Sequence, residues 1–250
     1  MIDTNVHIEI VQAKHFASTV ADEIIAQVQE CLTDKEDCSI VLAGGRTPGS
    51  IYRKLAMPPQ VSEVEWNRVR LFIGDERWVS KEHDQSNFRM VKETLLNHLP
   101  QPGPKSFPVN TTFDTPQEAA ADYSRQIKKA LQISDQENPV FDLVLLGIGD
   151  DGHTASIFPG SPVVNERSEI CMAVEHSVLG SRITLTPAAL LDAKRIIFIA
   201  SGDKKAEVVQ RVIEGNEEPE VLPARIFSKV FNRVSFLLDS NAARLLKRAD

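Results

Sequence analysis

The chain has no positive charge to spare: 28 lysines and arginines stand against 35 aspartates and glutamates, for a formal charge of -7. A general binder of nucleic acid or of anionic membrane needs a basic surface. Neither partner is expected, and an anionic ligand must be held by a local cluster. Cysteine is also scarce. Cys31, Cys38 and Cys171 form an odd set without CxxC spacing, which points to reduced, mostly buried thiols rather than a disulfide framework or a zinc site. No run approaches the roughly 20 apolar residues of a membrane span. The opening MIDTNVHIEI has neither the basic start nor the apolar core of a signal peptide, so a soluble, cytoplasmic protein is expected. The six histidines never fall at HxxxH spacing, and no serine sits in a GxSxG elbow. Metal-assisted and covalent acyl chemistry therefore lack their usual signatures. Internal repeats and low-complexity segments are absent as well, and one domain spanning 1–250 is the simplest organisation.

What is present is an alternation of strands and helices. Val6 to Val11 alternates as a strand. Phe16, Val20, Ile24, Val28 and Leu32 recur every four residues, predicting an amphipathic helix over Ala13 to Leu32. Strands are predicted at Ser39 to Ala43, Trp66 to Ile73, Ile170 to Val174, Arg182 to Leu185, Arg195 to Ala200 and Val234 to Leu238. Helices are predicted through Ile51 and Leu55, over Ser86 to Leu99 with Ser86 as cap, from Pro116 to about Leu131, after Pro187, through Val208 to Val212, and over Asn241 to Lys247. Pro100 to Pro116, with five prolines, reads as a surface loop. The pattern predicts an α/β fold: an open three-layer α/β/α sandwich with a mostly parallel, Rossmann-like sheet.

The chemistry concentrates where strands end. FDLVLLGIGDDGHTASIFPG, from Phe141 to Gly160, is an apolar run without polar alternation, as in a strand covered on both faces, and it stops in glycines, two aspartates and His153. Ligands of such sheets bind beyond the carboxyl ends of the strands. Gly147, Gly149 and Gly152 spell GxGxxG, but Pro159 and Gly160 interrupt the long helix that a dinucleotide fingerprint requires. Three further turns occupy the same topological position. Gly44-Gly45-Arg46-Thr47 precedes a helix whose N-terminus suits phosphate. Asp75-Glu76-Arg77 places three charges after a strand, unlike core, and Lys204 and Lys205 open a helix against its dipole. Cations outnumber plausible bases here, which implies an anionic substrate.

Six segments, AGGRTPGSIYRKLA, LFIGDERWV, DQSNFRMVKETLL, LLGIGDDGHTASIFPG, RITLTP and SGDKKAEVV, together resemble the 6-phosphogluconolactonases, in a superfamily that includes glucosamine-6-phosphate deaminase. The likeness spans nearly the whole chain. It implies a sugar-phosphate isomerase/deaminase-like sandwich and the hydrolysis of 6-phosphoglucono-1,5-lactone to 6-phosphogluconate in the oxidative pentose phosphate pathway, with no cofactor. By resemblance, the catalytic histidine of the DGHT motif is His153 and the arginine of DER is Arg77. Asp151 is expected to orient the site or the water. Asp75 stands where the deaminases keep a proton-abstracting aspartate, although lactone hydrolysis involves no carbon acid. The phosphate is expected near Gly44, Gly45, Arg46 and Thr47, with help from Arg182 and Lys205. The implied partner is a small sugar-phosphate lactone, for a chain acting as a monomer or small homo-oligomer.

Two alternatives remain open. Deaminases resemble DGHIAFNEP at the central loop, with a glutamate that couples to the histidine, and Phe158 takes that glutamate's place here. A non-catalytic sugar-phosphate sensor would keep the phosphate turns and carry an additional DNA-binding or partner domain, for which the chain shows no basic helix-turn-helix.

Overall fold

The computed structural model describes residues 6–247. In chain order the elements are β1 (His7–Val11), α1 (Phe16–Asp34), β2 (Cys38–Leu42), α2 (Arg46–Leu55), β3 (Val69–Ile73), β4 (Asp75–Arg77), α3 (Asn87–Thr94), β5 (Lys105–Phe107), α4 (Pro116–Leu131), β6 (Leu143–Gly147), β7 (Cys171–Val174), β8 (Arg182–Leu185), α5 (Pro187–Leu190), β9 (Arg195–Ala200), α6 (Ala206–Glu214) and β10 (Val234–Asp239). Seven strands make one sheet in the order β1-β10-β9-β6-β2-β3-β5, every neighbouring pair parallel.

Parallel neighbours require crossovers, and the crossovers cover both faces. On one face Leu143 and Leu145 of β6 meet Val20, Ile24 and Val28 of α1 and Ile51 and Leu55 of α2 within one buried cluster. On the other face Val144 and Leu146 join Tyr123 and Ile127 of α4 and Val208 and Val212 of α6. Successive residues of β6 therefore point into different cores, which is why the strand shows no polar alternation. Local signals hold the crossovers in place. Ser86 caps α3 by accepting from the Arg89 N–H at 3.1 Å, and Thr115 and Glu118 close a reciprocal capping box on α4, with Pro116 at its first turn.

The strand order reverses between β2 and β6. From β2 the chain adds strands outward through β3 and β5, and from β6 it proceeds to β9 and β10 on the opposite side. The crevice beyond the carboxyl ends of β2 and β6 is thus the switch point of the sheet, where ligands of open α/β folds bind.

Three expectations are corrected, and two expected strands are placed. The proline-rich segment is not all loop: Pro104 and Pro108 flank the edge strand β5, and Phe107 stacks on Phe72 of the adjoining β3 with ring centroids 4.8 Å apart. Trp66–Arg68 is a 3-10 turn, so the third strand begins only at Val69. Asn241 to Lys247 forms turns: Asp239 accepts from the Ala242 N–H as an N-cap would, and also holds Ser201 and Gly202, but so short a segment does not sustain a helix on that cap. Finally, β7 and β8 leave the parallel sheet. They form a separate antiparallel sheet with β4, in the order β4-β8-β7. Tyr123 marks the end of β3. Its hydroxyl accepts from the Ile73 N–H at 2.7 Å and donates to the Ile73 carbonyl at 3.0 Å, consuming both backbone groups where β3 ends.

Candidate functional site

The four polar turns converge as their topology requires. They line a cleft of about 390 Å³, with Gly44, Gly45, Arg46 and Thr47 after β2, Asp75 and Arg77 from β4, Gly149, Asp150 and His153 after β6, and Ser201 and Lys205 after β9. Gly45 adopts φ of 102° as the N-cap of α2, a conformation that only glycine takes cheaply. Gly44 is required for a different reason: a Cβ there would lie 2.2 Å from Oδ1 of Asn87. Gly45, Arg46 and Thr47, at the start of α2, line the cleft, the position that an anion site at a helix N-terminus uses.

The loop after β6 folds back around one imidazole. Gly149 donates to the His153 carbonyl at 2.8 Å, Gly152 donates to the Gly149 carbonyl at 3.0 Å, and the Thr154 hydroxyl donates to the Gly147 carbonyl at 2.9 Å. A Cβ on Gly149 would lie 2.1 Å from Nδ1 of His153. Gly149 therefore serves close packing on the histidine, Gly152 takes a φ of +85° with Leu222 against it, and no long helix follows them. Asp151 fixes the ring, accepting from the His153 backbone N–H at 3.0 Å and from Nδ1 at 2.5 Å. Partial burial pushes the Asp151 carboxyl up, but the His153 backbone N–H and side chain outweigh it and hold it below the usual carboxylate value. An ionised carboxylate can only accept, so Nδ1 is the donor of that bond, and in the neutral tautomer this leaves the lone pair on Nε2. Phe158 packs on the imidazole with centroids 4.8 Å apart, and on its other side meets His176 at 4.6 Å.

Around this dyad the charges are individually tethered. Nη1 of Arg77 donates to the Gln85 carbonyl at 2.6 Å. Nζ of Lys205 donates to the Ile148 carbonyl at 2.7 Å and to the Asp150 carboxylate. Oδ2 of Asp75 accepts from the Ser156 hydroxyl at 2.7 Å, while Nδ2 of Asn87 reaches the Asp75 carbonyl at 2.7 Å. Glu76, expected in a charged turn, is instead buried. Its carboxylate accepts from the N–H groups of Arg77, Asn87 and Phe88 at 2.7–2.8 Å and from the Ser86 hydroxyl at 3.1 Å, pinning β4 to the start of α3. Burial pushes its carboxyl up, against the pull of those N–H groups.

A model of the family of glucosamine-6-phosphate isomerases and 6-phosphogluconolactonases matches residues 11–235. The chain belongs to this family. It is 36% identical over 208 residues to the 6-phosphogluconolactonase of Homo sapiens, covering 82% of this chain and 79% of that one. To the Synechocystis 6-phosphogluconolactonase it is 30% identical over 224 residues, covering 90% and 91%. The structure of a 6-phosphogluconolactonase from Trypanosoma brucei superposes with a TM-score of 0.85 at 30% identity, over 97% of this chain and 99% of that one.

Of the residues singled out by family resemblance, His153, Arg77, Asp75, Gly44, Gly45, Arg46, Thr47 and Lys205 all line the cleft. Asp151 stands behind His153 and acts on the cleft through it. Arg182 is largely buried in β8, directly across from Arg77, and is not among the lining residues. Its Nη1 donates to the Ser181 carbonyl at 3.0 Å, and burial, followed by the charge of Arg77, pushes its guanidinium down from the usual value. Sequence reasoning passed over Asn87 and Ser156, whereas Asp150 lines the cleft as its place after the strand implies. Asn87 and Ser156 sit inside quoted motifs, SNF and HTAS, but nothing local says that both converge on Asp75.

Proposed function

We propose that this chain hydrolyses 6-phosphoglucono-1,5-lactone to 6-phosphogluconate, the lactone-opening step of the oxidative pentose phosphate pathway. An activated ester needs a base for water and a positive group for the tetrahedral oxyanion. Nε2 of His153 takes a proton from water as it attacks C1, and the imidazolium is steadied by Asp151. Arg77 receives the developing oxyanion through charge-assisted hydrogen bonds. Collapse breaks the bond from C1 to the ring oxygen, which leaves with the proton held on His153. At the far end of the cleft the first N–H groups of α2, at Gly45, Arg46 and Thr47, bind the phosphate with Lys205. Gly44 gives the backbone its close approach, and Arg182 contributes its field from behind Arg77. Phosphate binding places C1 beside His153. Asp75, preset by Ser156, accepts a sugar hydroxyl.

The observation that carries this reading against deamination is Phe158. In the deaminase pattern a glutamate at this place, in addition to the aspartate on Nδ1, couples to the histidine for ring opening, and a phenyl ring packed 4.8 Å from the imidazole cannot relay protons. The free thiols Cys31, Cys38 and Cys171 suit a reducing, cytoplasmic setting. A single domain working without cofactor or nucleic acid, as a monomer or small homo-oligomer, completes the proposal. The test is the rate of acid release from freshly made lactone, measured against an enzyme-free control because the lactone opens spontaneously. No acceleration over that control, or release of ammonia from glucosamine 6-phosphate at a comparable rate, overturns it.

A further inference from the structure

Two adjacent aspartates follow β6, and they serve two different partners. Asp151 is bound twice by His153, whereas Asp150 faces the other way and takes the ammonium of Lys205. We infer that Asp150 is a resident counter-ion of the phosphate pocket, which occupies Lys205 while the cleft is empty and limits how tightly a phosphate is held there. This rests on the reading of Lys205 as a phosphate anchor.

The geometry supports the exchange. Lys205 ends the 3-10 turn Asp203–Lys205 and is the N-cap of α6, where a cation opposes the helix dipole. Its Nζ also donates to the Ile148 carbonyl at 2.7 Å. An ammonium has three donors. With one on Ile148 and one on Asp150, a phosphate gains a second only by taking the place of the carboxylate. That displacement is easy, since the Asp150 side chain is 74% exposed against 26% for Lys205, and an ion pair with so exposed a member is worth little. The motion is a side-chain rotation. The backbone cannot follow, because Gly149, Gly152 and Asp151 are tied to one another and to His153. Once displaced, Asp150 still lines the cleft and repels the dianion. Substrate and phosphorylated product are weakened alike, so the carboxylate raises KM and speeds product departure. Asp150 is thus a residue that sets affinity at the phosphate end and takes no part in the chemistry at C1.

Calorimetric titration with inorganic phosphate tests this without requiring turnover. Asp150→Asn should lower the phosphate Kd by about 3- to 10-fold at low ionic strength, an effect that shrinks in added salt. The gain should shrink by at least half in a Lys205→Met background, where no ammonium is contested and only the direct repulsion by Asp150 remains. Asp203→Asn, which removes an equal charge from a residue paired with Arg244, should change Kd far less. An unchanged or weaker Kd in Asp150→Asn, equal tightening without Lys205, or no detectable phosphate binding by the wild type would overturn the inference. Lactone hydrolysis separates the two failures. Hydrolysis with an unaltered phosphate Kd sinks the role of Asp150 alone, while the expected phosphate shift without hydrolysis sinks only the lactonase reading.

Discussion

The two ends of β6 carry the same chemistry in opposite settings. At the amino end Asp142, its side chain 3% exposed, receives Nζ of Lys35 at 2.8 Å on both oxygens, the Ser39 N–H at 3.0 Å, the Ser39 hydroxyl at 2.8 Å, and Lys194 at 3.2 Å. At the carboxyl end Asp150 and Asp151 each hold one partner, Lys205 and His153, at 74% and 47% exposure, beside an open cleft. A buried carboxylate whose lone pairs are filled can only stabilise. A half-exposed one can orient a base or yield its partner to a ligand. Burial and the number of donors, rather than residue type, divide structure from function along this strand.

That contrast breaks most sharply at His153. If the carboxyl end is reserved for chemistry, His153→Ala should lower kcat by about 10²- to 10⁴-fold with no fall in Tm, measured by lactone hydrolysis and thermal melting. A variant that loses stability in proportion to activity would make this end structural too.

The converse change is Asp142→Ala, which leaves the Ser39 N–H without its acceptor. It should cost about 2–3 kcal/mol, a fall in Tm of about 5–10 °C, with kcat at 25 °C untouched. Burial pushes the Asp142 carboxyl up, but Lys35 and Ser39 outweigh it and hold it below the usual carboxylate value. A depressed folded value gives stability that is complete above the unfolded value of about 3.9 and lost as the pH falls through the folded one. Melting curves of the wild type should therefore decline more steeply below pH 4 than those of the variant. Parallel curves would remove Asp142 as the source.

A smaller effect sharpens the cleft side. Arg77→Lys keeps the charge but loses the planar donor pair, and should reduce kcat by about tenfold with KM little altered. A loss confined to KM would move Arg77 from the oxyanion to the binding of the ground state. The smallest expected effect is none. Among the described residues the group that could hold a metal is Cys31, Cys38 and Asp142, at the amino end, and Lys35 already fills its carboxylate. Exhaustive EDTA treatment should change neither activity nor Tm, and activity lost to EDTA and restored by a divalent ion would refute the metal-free mechanism.

What the sequence by itself determined was local and periodic. The fourfold spacing of Phe16, Val20, Ile24 and Val28 made α1, the unbroken apolar run made β6, and Thr115 with Glu118 marked the start of α4 within a residue. The strand-end turns were legible because glycine and charge together do not fit a covered strand. Tertiary structure alone decided which charge meets which. Asp150 and Lys205 lie 55 positions apart, Asp75 and Ser156 lie 81, and Lys35 and Asp142 lie 107. The same holds for Glu76, whose charge reads as solvent-facing until α3 supplies its donors, and for β7 and β8, whose strand character says nothing of the sheet they join. Propensity and capping act within a few residues of chain. Pairing and burial depend on which surfaces the crossovers bring together, and that choice is made by the two cores.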